Sequence, residues 1–145
     1  MKRLSVLGLI PALALVLPAW GGDKTDKGKE PEKPSPFVKL NFKDALAKGK
    51  ADKKVVMVDF YADWCGPCRQ MDAKTFSDEK VQKFLKDRTV AIRINVDDNK
   101  DLAKEHKITA IPCLVFLDGE GKEVGRILGF RPAEKFLAEA EMHVK

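Results

Sequence analysis

Nine consecutive residues, KVVMVDFYA at Lys54–Ala62, are apolar, β-branched or aromatic almost throughout, with one acid, Asp59, in their midst. A strand with one wet face alternates polar and apolar residues, whereas a strand covered on both faces does not. The run therefore calls for packing layers on both sides of a sheet. It leads straight into two cysteines spaced by Gly66 and Pro67, in the stretch YADWCGPCRQ.

The flanking patterns supply those layers. Phe37–Leu40 reads as a short strand, and Asn41 as the N-cap of a helix with Phe42, Ala45 and Leu46 on one face, ended by Gly49. After the cysteines a helical pattern continues through Arg69–Lys74. A second follows, with Ser77 as its N-cap and Val81, Phe84 and Leu85 facing inward. Thr89–Val96 is a further strand and Asn99–His106 a short helix. CLVFLD, the turn DGEGK and EVGRILGF then form a hairpin. Pro132 opens a last helix whose apolar face carries Ala133, Phe136, Leu137 and Ala140. This order predicts an α/β domain with a mixed central sheet flanked by helices, crossovers early and an antiparallel hairpin late.

The chain of 145 residues is one domain long and can fold without disulfides. Its N-terminus is different material. Lys2 and Arg3 precede an apolar run of about fourteen residues, the size of a signal-peptide core rather than a membrane span. Ala19 and Gly21 offer small residues for cleavage after Gly21. Residues 1–21 are expected to act as a signal peptide or an uncleaved N-terminal anchor, and no cysteine follows them to serve a lipoprotein anchor. Residues 22–36, rich in Lys, Asp, Glu and Pro, read as a flexible charged linker that could tether the domain to a membrane. The folded domain is then 37–145. The net charge is +5, but the lysines are interleaved with acids and few aromatics accompany them. No nucleic-acid partner is expected.

Cys65 and Cys68 admit three readings. A zinc site wants four ligands, and only Cys113, His106 and His143 remain, none paired at short spacing. A structural disulfide would close too small a loop to contribute much stability. A redox pair suits the position better. Cys65 falls where a buried strand gives way to a helix, so the helix N-terminus would stabilise its thiolate. Cys68 lies on the same helical face, within reach to resolve a mixed disulfide, and Pro67 fits the first turn.

VDFYADWCGPC resembles the active-site segment of the thioredoxin family, and Ile111-Pro112 resembles that family's cis-proline loop, with Gly129 following the hairpin. The resemblance spans 37–145. VDFYADWC together with KTFSDEKVQKFL is similar, more particularly, to the periplasmic C-terminal domain of the bacterial transmembrane thiol–disulfide interchange reductases. This chain lacks their membrane core and is expected to be a stand-alone relative. The resemblance implies a thioredoxin fold, with Cys65 as nucleophile, Cys68 as resolving thiol and Asp59 as a buried proton acceptor. It places Trp64 on an apolar rim beside Gly66 and Pro67. Pro112 would be cis, leaving the Ile111 backbone to pair with an extended substrate. Arg93 occupies the place of a lysine thought to pair with the buried acid, or is an exposed strand residue. Asp72 matches a second acid, or is a solvated helix residue. Cys113 stands where the family has threonine; it reads as a small buried hydrophobe or as a third redox-active thiol.

The function expected is an exported thiol–disulfide oxidoreductase that needs no metal and no cofactor beyond its own cysteine pair. The Gly-Pro dipeptide favours reduction of protein disulfides, with exported disulfide-containing proteins as substrates, a membrane partner as electron donor, and a monomer as the working unit. An oxidase or isomerase, and a non-catalytic binding module, are the alternatives.

Overall fold

The computed structural model describes residues 34–145; the expectations for residues 1–21 and for the linker up to 33 lie outside the described residues. In chain order the elements are α1 (Phe42–Asp52), β1 (Val55–Tyr61), α2 (Gly66–Lys74), α3 (Glu79–Arg88) and β2 (Thr89–Asn95). Then come α4 (Lys100–Glu105), β3 (Cys113–Leu117), β4 (Glu123–Leu128) and α5 (Ala133–Glu141). The sheet has the order β2-β1-β3-β4. β1 is parallel to β2 and antiparallel to β3, and β3 is antiparallel to β4. The mixed sheet follows from the connections: a helical crossover joins β1 to β2, whereas the tight turn after Leu117 can only return antiparallel.

β1 is central and all its middle residues are buried. Val56, Val58 and Phe60 pack on one side with Ala45 and Leu46 of α1. Met57 packs on the other with Met71 of α2, Leu85 of α3 and Phe136 of α5. Two cores, one on each face, account for the unbroken apolar run. By the same alternation Asp59 points to the side of Met57, toward α2 and α3.

Three local expectations are corrected. Phe37–Leu40 is not a strand, although the Val38 N–H reaches the outer edge of β2 and donates to Ala91 O at 2.8 Å. The Phe37 N–H donates to Ser35 Oγ and the Leu40 N–H to Val38 O, so these donors are spent within the segment, and the Phe37 ring turns in against Phe76. Gly49 does not end α1, which runs on to Asp52 with Lys53 as a left-handed cap at φ 53°. Gly49 is needed for close approach, because a Cβ there would come within 2.5 Å of Val56 Cγ2 on β1. The N-cap of α3 is Asp78, whose carboxylate accepts from Lys80 N–H and Val81 N–H, while the Ser77 hydroxyl donates back to Ala73 O.

Candidate active site

β1 ends at Tyr61, and the chain turns over Ala62–Trp64 into α2. Cys65 is the N-cap of α2, in extended conformation at φ −79° and ψ 109°. Its Sγ accepts the Cys68 N–H at 3.2 Å, so a backbone donor of the first turn is aimed at the sulfur. The same donor, with the helix dipole, would stabilise a thiolate there. Cys65 and Cys68 are joined as a disulfide, their Cα atoms 5.3 Å apart. Both are nearly buried, packed with Ala62 and bordered by Tyr61, Val96 and Ile111. Gly66 and Pro67 form the opening of α2, and nothing stands within 4 Å of the place a Gly66 Cβ would take. That position is open to a docking chain. The Arg69 guanidinium donates to Asp63 O at 2.9 Å and latches the turn to the helix.

Ile111–Pro112 is cis, and it borders the sulfur cluster ahead of β3. Pro112 O accepts the N–H of Gly129, which holds a positive φ of 81° at the end of β4. Trp64 is 67 % exposed, yet its indole N–H donates to Asp97 Oδ2 at 2.9 Å. Trp64, Val96, Ile108 and Ile111 line an open apolar groove of about 330 Å³. The groove therefore lies between the tryptophan rim and the proline loop.

Asp59 is 1 % exposed. Its Oδ2 accepts Arg93 Nε at 2.9 Å, and its Oδ1 is buried without a partner. Burial outweighs the arginine and pushes the carboxyl up to about 7, with Asp72 adding to the rise. Arg93 is directly opposite Asp59 in the parallel register. It also reaches Asp72 of α2 at 3.1 Å, so Arg93 is ion-paired, while the Asp72 side chain stays 42 % exposed. The guanidinium carbon lies 4.1 Å from the Tyr61 ring centroid and 5.1 Å from that of Phe37.

Cys113 is free and fully buried, and burial raises its thiol above the ordinary range. It packs in the core on the α1 side of the sheet, among apolar residues. No group of three or more His, Cys, Asp or Glu residues able to hold a metal occurs among the described residues.

A family profile for the thioredoxin-like domain matches residues 42–142. The chain belongs to the thioredoxin-like family. It is 40 % identical over 110 residues to the thiol:disulfide interchange protein DsbD of Escherichia coli strain K12, a match covering 70 % of this chain but only 19 % of DsbD. Among solved structures, the oxidised C-terminal domain of Neisseria meningitidis DsbD shares 30 % identity at a TM-score of 0.61, over 70 % of this chain and 91 % of that domain. The oxidoreductase DsbH superposes at a TM-score of 0.68 over 86 % of this chain and 94 % of its own, and at 20 % identity it speaks to the fold alone. The chain is thus a thioredoxin-like disulfide oxidoreductase by family, with its cysteine pair in the oxidised form.

Sequence reading missed Asp97, Tyr61 and Phe37 as neighbours of the site. The first two were accessible in principle. Parallel pairing sets Tyr61 beside Asn95, which brings the residues just beyond β2 alongside Trp64. Phe37 carried no such signal, because the segment it sits on joins no ladder.

Proposed function

We propose that the chain is an extracytoplasmic protein-disulfide reductase. The observation that carries this reading is the Cys65–Cys68 disulfide at the N-terminus of α2, with Cys65 Sγ accepting a first-turn N–H. In the reduced protein the Cys65 thiolate attacks a substrate disulfide. It forms a mixed disulfide and expels one substrate thiolate. Cys68 then gives its proton to the Asp59 carboxylate and attacks Cys65 Sγ. The second substrate thiolate leaves and the internal disulfide closes, so two electrons have passed from the protein to the substrate. A carboxyl poised near 7 is matched to that proton transfer at neutral pH. Trp64, Gly66 and Pro67 offer the contact rim, and the Ile111 backbone ahead of Pro112 offers pairing to an extended substrate segment.

Residues 1–21 serve as the export signal or anchor, 22–36 as the linker and 37–145 as the catalytic domain. The chain spans about a fifth of the DsbD sequences it matches, so substrates and donor are inferred from its own features. The substrates are exported proteins carrying disulfides. Electrons return from a dithiol donor at the membrane, the working unit is a monomer, and no cofactor or nucleic acid takes part. Gly66-Pro67 supplies the direction, since this dipeptide accompanies strongly reducing pairs. Equilibration against dithiothreitol and glutathione buffers tests it. A midpoint near roughly −270 mV is expected, whereas one above about −180 mV makes the protein an oxidant or isomerase.

A further inference from the structure

Arg93 has four partners. Asp59 and Asp72 take its N–H groups, and its guanidinium carbon lies over two rings, Tyr61 from β1 at 4.1 Å and Phe37 from the segment before α1 at 5.1 Å. Phe37 lies upstream of the residues the family profile covers, 42–142. It belongs to a short strap fixed at several points. Gln82 Nε2 donates to Pro34 O at 2.7 Å, Val38 N–H donates to Ala91 O at 2.8 Å, and the Phe37 ring meets Phe76 edge-on at 4.9 Å. Between strap and domain lies a hollow of about 250 Å³, bordered by Pro36, Phe37, Asp72, Phe76 and Arg93.

We propose that Phe37 is a positioning residue for the exchange reaction: its ring holds the Arg93 guanidinium in the plane that engages Asp59, so the strap sets how firmly the buried acid holds its proton. A guanidinium over an aromatic face is attracted to it and stays planar to it. Arg93 is 26 % exposed, so without that face water competes for its donors. The groups that face Asp59 are few. They are Arg93 on β2 and Asp72 on α2, with Glu79 of α3 further out along the hollow; the Cys113 thiol of β3 lies on the other face of the sheet. Arg93 is the one cation among them. Loosening it removes the influence that favours the carboxylate and leaves burial and Asp72 unopposed. The inference rests on the proposed role of Asp59 only where it concerns turnover.

The test is a titration of the Asp59 carboxyl by carbon NMR in the oxidised full-length chain, beside the pH–rate profile of disulfide exchange. Phe37→Ala is expected to raise the Asp59 midpoint by about half a pH unit, a threefold gain in proton affinity. Phe37→Leu, which keeps an apolar contact on Phe76 without a π face, is expected to raise it less. Phe37→Tyr retains the ring and is expected to match the parent. An unchanged midpoint in the Ala and Leu variants overturns the proposal. A lowered one does so too, because it would make Phe37 a plug against water rather than a hold on the cation. If the midpoint rises and the rate profile does not follow, the positioning stands and Asp59 fails as proton acceptor.

Discussion

Asp59 is a costly residue to bury, a carboxyl at the centre of an apolar strand with one oxygen bonded to Arg93 and the other buried without a partner. Its folded-state value of about 7 lies above the ordinary 3.8, so the native protein keeps a proton that the unfolded chain has released over that interval. The stability it contributes is complete below the unfolded value and is lost as the pH climbs through about 7. The loss is on the order of 4 kcal/mol at most. Asp59→Asn is expected to flatten this part of the stability–pH curve and to be the more stable protein above pH 8, in chemical denaturation of the oxidised form. Parallel curves for the two proteins would mean that Asp59 ionises freely. The acid was legible in the sequence because it breaks an apolar run. Its partner was less so, since Arg93 becomes its neighbour only once the register of β1 against β2 is known.

Element boundaries depend on single hydrogen bonds, and α3 illustrates how finely. Ser77 and Asp78 are both good capping types, and periodicity alone does not separate them. The structure uses Asp78, because the Ser77 hydroxyl is spent on Ala73 O, closing the end of α2. Asp78→Ala is expected to cost about 1 kcal/mol and Ser77→Ala a few tenths, in urea unfolding. The reverse order would return the cap to Ser77. Gly49 shows the other way a boundary hides. Glycine in a helical pattern reads as a terminus, but here it admits Val56 to the helix surface, and only the packed partner reveals that. Core-facing positions on α1, α3 and α5 were readable, since 3.6-residue periodicity depends on burial alone. Phe37–Leu40 misled because extended, apolar residues look the same whether or not a neighbouring strand accepts their bonds.

As a whole the domain brings a buried strand, a helix start and a proline loop together at the nearly buried Cys65–Cys68 pair. That convergence was visible from motif order, and the family match confirms the fold it implies. The whole-molecule prediction concerns partners. Cys68→Ser in the full-length chain is expected to accumulate mixed disulfides on Cys65 when exposed to cell-envelope extracts, seen as thiol-reversible bands in non-reducing gels. Cys65→Ser should give none. If the Cys68→Ser protein captures nothing, dithiol exchange with envelope proteins is not its work. Trp64 adds a consequence of another kind. An exposed indole normally samples several rotamers and loses that freedom when a partner docks, but Asp97 already pins this one from the side. On the proposed function, this apolar face is ordered before any encounter and surrenders little entropy in a contact, so a protein that binds and releases a client within one turnover would gain grip from it without a wide footprint.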